Sequence, residues 1–238
     1  MKSTIKEIKS NLRDQKDEHL FENFITNYAS REERHYCAYL FAWLINDKSA
    51  IKSYFESHEN NEHISVILTA DFTKTEVYFE YTALRELIDL IGKKVKTSIA
   101  DQMKSEIKEK LKNLVFVKKE GDIQKKKPDL VFYFPDIKTL VLVEAKFEMD
   151  FDEPQIDESQ KYGNALMQIF ENDIKIVYTT VLGIEYQINK LNSKYPSISW
   201  EKVFDIVPQN GRIQKEIKRG LIYQESIHPK TMTNLKIK

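Results

Sequence analysis

The sequence predicts an α/β domain in which a helix is followed by three strands, a second helix and a further strand. Three observations carry that expectation. Residues 125–147, KKKPDLVFYFPDIKTLVLVEAKF, hold two runs rich in β-branched and aromatic residues, 130–134 and 139–143, around the turn signal Pro135-Asp136-Ile137-Lys138. Residues 30–45, SREERHYCAYLFAWLI, repeat apolar side chains at helical spacing. Residues 174–182, IKIVYTTVL, form a near-continuous apolar run, the pattern of a strand buried on both faces.

Taken in chain order, the first helix starts with Ser30 as N-cap and Glu33 completing a capping box, and it turns Cys37, Leu40, Phe41 and Leu44 toward the core. Residues 51–112 are mostly helical in pattern, with a short apolar run at 64–68; substrate shaping and a homodimer surface are both open roles for them. KNLVFVKKEG, 112–121, reads as a strand ending at Gly121. The hairpin follows. A turn centred on Asp136 and Ile137 pairs residues whose numbers sum to 273, so Phe134 meets Thr139, Phe132 meets Val141 and, by continuation, Asp129 meets Glu144. The Cβ atoms of such a pair lie about 5 Å apart. Lys146, two residues beyond Glu144, shares its face. Like charges directly opposite each other destabilise a sheet, and a divalent cation between them reverses that sign. Hard oxygen ligands at this spacing suit Mg²⁺ or Mn²⁺. Residues 148–160 carry six acids and no Lys or Arg, which reads as a solvated linker. A second helix, 157–172, has its period in Tyr162, Leu166, Ile169 and Phe170.

Composition narrows the function classes. A chain of 238 residues fits one elaborated domain, with 41% hydrophobic and 31% charged residues as in soluble globular proteins. There is no apolar run of membrane-spanning length, and the charged first residues lack the apolar stretch of a secretory signal, so a cytoplasmic location is expected and no membrane partner. Cys37 is the only cysteine, which leaves no internal disulfide and no cysteine-based zinc site. Six glycines form no phosphate-binding or dinucleotide loop. The formal net charge is zero, but the basic residues are clustered: Lys125, Lys126 and Lys127 precede Pro128-Asp129, and Arg212, Lys215, Lys218 and Arg219 lie in RIQKEIKR. Phosphate contacts need local positive charge, so these seven are the candidate nucleic-acid-binding residues.

Pro128-Asp129 followed by Glu144-Ala145-Lys146 resembles the signature of the PD-(D/E)xK nuclease superfamily, whose restriction-endonuclease-like core is a central mixed β-sheet flanked by helices. The front helix, Glu32-Glu33-Arg34-His35-Tyr36 with Leu40-Phe41-Ala42-Trp43-Leu44, is similar to the E-x-x-H-S and LAWLL segment of one bacterial group, the fourth catalogued family of that superfamily; Tyr36 stands where that group has a small hydroxyl residue. SISWEKVFDIV, 197–207, resembles the helix that closes such domains. The resemblance covers about residues 30–207, with helical additions and a basic C-terminal extension, 208–238, in a single domain.

The resemblance implies a metal-dependent nuclease that hydrolyses phosphodiester bonds, with DNA favoured over RNA as partner and bacterial defence or DNA processing as its setting. Asp129, Glu144 and the backbone carbonyl of Ala145 would hold Mg²⁺ or Mn²⁺, and Lys146 would orient water and stabilise charge on phosphate. An acid of the first helix would complete the set. Glu33 is aligned with Cys37, Leu40 and Leu44 and is placed to cap, whereas Glu32 is the Glu of E-x-x-H, so Glu32 is expected at the catalytic site. Glu33, His35 and Gln160 are expected to line it. The alternative is a catalytically inactive nucleic-acid-binding or protein-interaction module on the same fold.

Overall fold

A computed structural model of the chain describes residues 33–58, 61–79, 102, 105–106, 128–147, 151, 153–191 and 195–227. The molecule is α/β; among the described residues a five-stranded mixed sheet is flanked by helices. The described elements are α1 (Glu33–Asn46), α2 (Lys48–Glu56), α3 (Glu62–Ile67), β1 (Glu76–Phe79), β2 (Leu130–Phe134), β3 (Thr139–Ala145), α4 (Glu153–Ile169), β4 (Ile176–Gly183), α5 (Glu185–Asn189), β5 (Ser197–Ser199), α6 (Trp200–Ile206) and α7 (Arg212–Ile227). Strand order in space follows the chain; β2 is antiparallel to both β1 and β3, and β4 and β5 run parallel to β3. Among the described residues no helix is long and apolar enough to cross a membrane.

The hairpin has the register that its turn dictates. Phe134 pairs with Thr139, Phe132 with Val141 and Leu130 with Val143. Lys138 takes the left-handed conformation that closes the turn, with φ 49°. The turn is tied down from outside by Asp136, whose carboxylate accepts the Asp71 N–H at 2.6 Å. All seven residues of β3 are buried, because the strand lies between β2 and β4 and is covered on both faces.

Strand alternation divides the interior in two. Val141, Val143 and Ala145 face a large core that takes in Cys37, Leu40 and Leu44 of α1, Ile51, Tyr54 and Phe55 of α2, and Trp200 of α6. Leu140 and Leu142 face a smaller cluster built with Tyr162, Ala165 and Leu166 of α4. α4 lies so close to β4 at Gly163 that a Cβ there would collide with Val177.

Several elements differ from the expectation. Residues 76–79 form β1, inside a stretch whose pattern reads as helical; pairing with β2 overrides the local pattern. The acidic segment is not a linker from Glu153 onward. It forms the first two turns of α4 and buries Ile156 and Ser159, with Glu153 and Glu158 exposed and Asp157 half-buried, where it accepts from the Tyr195 hydroxyl at 2.5 Å. Residues 197–199 are a strand, and the closing helix starts only at Trp200, capped by Ser199 Oγ accepting the Lys202 N–H at 3.2 Å. Helix α7 puts Ile213, Ile217 and Leu221 into the large core, which therefore runs past residue 207. The strand expected at 112–121 lies outside the described residues.

Candidate functional site

The sequence-predicted site residues that are described at the hairpin gather at the carboxyl end of β3. Glu144 is directed away from the large core, between Val143 and Ala145, which both belong to it. Its side chain reaches α4 and is only 3% exposed. There it accepts a short hydrogen bond from Ser159 Oγ and a longer one, 3.3 Å, from Gln155 Nε2. Gln155 and Ser159 are one turn apart, so one face of α4 presents both donors to the same carboxylate. A buried carboxylate without such donors would be costly.

Asp129 arrives by a different route from the one extrapolated. The strand pairing stops at Leu130 with Val143, and the Asp129 N–H donates to the Val143 carbonyl at 3.1 Å. Asp129 thus lies just outside the ladder, and the direct Asp129–Glu144 pair is not among its partners. Instead the Asp129 side chain reaches across, with Oδ2 accepting the Ala145 N–H at 2.8 Å. The carboxylate therefore sits against the peptide that joins Glu144 to Ala145. The N–H and C=O of one strand residue project to the same side, which sends the Ala145 carbonyl toward that edge as well. The Lys146 N–H points the other way, to the Leu182 carbonyl at 2.8 Å. The Lys146 carbonyl accepts from Trp200 Nε1 at 2.9 Å, which pins the backbone just beyond the strand. Lys146 stands between Ala145 and Phe147, both in the large core, so alternation gives its half-buried side chain the Glu144 face.

The other candidates are dispersed. Glu32, Lys125, Lys126 and Lys127 lie outside the described residues, and Glu33 is described only as the first residue of α1. His35 faces α7: its Nε2 is 3.5 Å from Glu216 Oε2, and its ring packs edge-on against Tyr36 and Tyr39. Gln160 lies farther along α4, with Nε2 donating to Asn164 Oδ1 and the Val177 carbonyl, so the glutamine beside Glu144 is Gln155. Arg212, Lys215 and Arg219 are exposed on α7 at positions i, i+3 and i+7, a single stripe, with Lys218 half-buried alongside. The Arg212 guanidinium lies over the Tyr39 ring at 5.2 Å, and Arg219 pairs with Glu216 at 3.2 Å.

The sequence favours Gln160 over Gln155 as the site glutamine and does not single out Ser159. Their signal was available in the helical spacing of Gln155, Ile156, Ser159 and Tyr162. Glu201, in the first turn after β5, is a further acid near this sheet end; burial first, with Glu185 adding to it, holds its carboxyl above the usual range. Its two oxygens take the Glu185 N–H at 3.3 and 3.4 Å.

The donor set at β3 is two carboxylates and a backbone carbonyl, all hard oxygens. Among the described residues no group of three or more His, Cys, Asp or Glu is placed to hold a metal ion. Mg²⁺ is ordinarily held by one or two carboxylates, keeping water and substrate phosphate in its remaining positions, and carboxylate and carbonyl oxygens are donors of the type it takes. Comparison with protein-family models, with curated proteins and with solved structures finds no match to this chain.

Proposed function

We propose that this chain is a metal-dependent nuclease of the PD-(D/E)xK type, acting on phosphodiester bonds and on DNA in preference to RNA. The observation that carries the reading is the hydrogen bond from the Ala145 N–H to Asp129 Oδ2, which sets Pro128-Asp129 against Glu144-Ala145-Lys146 at one strand end. The order of elements supports it: helix, three antiparallel strands, helix, and a strand parallel to the third. A restriction-endonuclease-like core has that order.

On this reading Asp129, Glu144 and the Ala145 carbonyl would hold Mg²⁺ or Mn²⁺. The ion, when bound, lowers the pKa of water and polarises the scissile phosphate. Ser159 and Gln155 fix the position of the Glu144 carboxylate against α4. Lys146 supplies an ammonium on the Glu144 face that orients the attacking water and stabilises charge developing on phosphate. Glu32 is the acid assigned to complete the site. The α7 stripe of Arg212, Lys215 and Arg219 contributes phosphate contacts, each of which steepens the salt dependence of binding by about one unit.

A second reading, an inactive binding or interaction module, is favoured by one fact: Glu144 is already held by two side-chain donors. Incubation of the purified chain with linear and circular, single- and double-stranded DNA and RNA separates the two readings. Cleavage is expected with Mg²⁺ or Mn²⁺, none with EDTA, and none from Asp129→Ala, Glu144→Ala or Lys146→Ala. If the wild-type chain cleaves no substrate and Mg²⁺ leaves its melting temperature unchanged, the nuclease reading fails and the module stands.

A further inference from the structure

A cavity of about 360 Å³ opens on the α4 side of the sheet, away from the site above. Leu140 lines it, and Leu140 precedes Glu144 by four residues on the same face of β3, so the two sites lie roughly 13 Å apart. Its volume is at the small end of ligand pockets. The walls are aromatic: Tyr78 of β1 and Tyr133 of β2 on the sheet side, Tyr162 of α4 and Phe170 just beyond that helix on the other.

The rim is acidic. Glu76 and Asp173 both line the cavity and both are exposed, and among the described residues that line it none is basic. The Tyr78 hydroxyl donates to the Glu76 carboxylate. The Tyr133 hydroxyl donates to the Asp173 carbonyl at 3.1 Å, which fixes the ring against the chain segment that carries the Asp173 carboxylate. Burial first, then the charges of Asp173 and Glu76, hold the Tyr133 phenol above its usual range, so the two carboxylates act on the cavity interior. Lys138, whose Nζ donates to the Asn172 carbonyl at 2.8 Å, is engaged with the backbone beside the rim.

Aromatic rings and carboxylates around an apolar hollow select one ligand class. Aromatic rings and carboxylates attract positive charge, and the walls favour an apolar body. A phosphate or carboxylate ligand would meet two like charges. We propose that this cavity is a binding site for a small organic cation, an ammonium carried on an apolar or aromatic body, independent of the Asp129–Glu144 site.

The test uses the full chain and three probes of similar size: benzyltrimethylammonium, benzyl alcohol and benzoate. Each is titrated against the protein while probe proton shifts and protein amide shifts are followed by NMR. Saturable binding of the ammonium is expected, with its methyl protons shifted upfield by the rings and amide changes at residues 76–78, 133 and 170–174. Benzyl alcohol should bind about 5-fold more weakly or worse, as expected for loss of a cation–π contact, and benzoate more weakly still. Glu76→Gln with Asp173→Asn should weaken the ammonium about 10-fold without altering the affinity for benzyl alcohol. Equal affinity for the ammonium and the alcohol would overturn the proposal, and that comparison needs no variant. Amide changes confined to other parts of the chain would overturn it too, as would an ammonium affinity unmoved by the double variant.

Discussion

The two faces of the sheet are built to different rules. The face toward α1, α2, α6 and α7 is closed by apolar packing: Tyr54 stacks on Phe132 at 5.4 Å, Phe55 meets Phe132 and Phe134 edge-on, and Tyr36 stacks on Phe147 at 4.1 Å. Of the described helices, α4 supplies the packing on the other face, where Glu144 with its two donors, the aromatic cavity and a much smaller apolar cluster share the surface. The contrast explains how a strand as buried as β3 can present a carboxylate. Apolar burial on one side is worth roughly 1.5–3 kcal/mol per large side chain, and it offsets the cost of keeping polar groups on the other. Stability is concentrated on one face, and the polar chemistry on the opposite face is held by a few hydrogen bonds.

The largest expected effect tests that division directly. Phe132→Ala opens a cavity among Tyr54, Phe55 and Phe134 and should cost about 3–5 kcal/mol in urea unfolding. Glu144→Gln keeps the shape and an acceptor for Ser159, so it should change stability by less than about 1 kcal/mol. On the nuclease reading it should also abolish metal-dependent cleavage. Comparable losses of stability from both substitutions would erase the distinction between the faces.

How much of this was legible follows from where the information resides. The hairpin register could be read because Pro135 to Lys138 fix it locally, and the observed pairs are the ones that the turn implies. The position of Asp129 could not. At the end of the ladder a side chain is free to take the Ala145 N–H in place of a backbone partner, and the arithmetic of the turn no longer governs. Strand β1 was missed because its identity is set by β2, far along the chain, and not by its own four residues. The start of α4 was missed because its acids were counted without their spacing; Ile156, Ser159, Gly163 and Leu166 mark a buried stripe through the charged segment.

The next effect is a pH dependence confined to the apolar face. His58 is buried, its ring lies against Phe55 at 5.3 Å, and its Nδ1 donates to the Tyr54 carbonyl at 3.0 Å. Burial pulls its pKa down to about 4 from an ordinary 6.5. The unfolded chain therefore binds the proton that the folded chain refuses between those values. Stability from this group is complete above about pH 6.5 and is lost as pH falls toward 4, by roughly 3 kcal/mol. Denaturant unfolding between pH 4 and 7 should show this slope, and His58→Phe, which keeps a ring in the aromatic cluster, should flatten it. A slope that survives the substitution would assign the acid sensitivity to the carboxylates of the other face.

The smallest effect concerns the hydrogen bonds that hold Glu144. Ser159 is fully buried, and its hydroxyl makes the shorter of the two contacts, so Ser159→Ala should cost about 1.5–3 kcal/mol, the range for a bond to a charged group. Gln155→Ala, which removes a 3.3 Å contact at a half-buried position, should cost about 1 kcal/mol or less. The sharper test is a double-mutant cycle. If Ser159 matters only through the carboxylate, Ser159→Ala in a Glu144→Ala background should be nearly neutral, with a coupling close to the whole single-mutant loss. The same loss in both backgrounds would mean that Ser159 serves the packing of α4. The polar face would then be held by ordinary burial, as the apolar face is, and Glu144 would have lost the support that keeps it aimed.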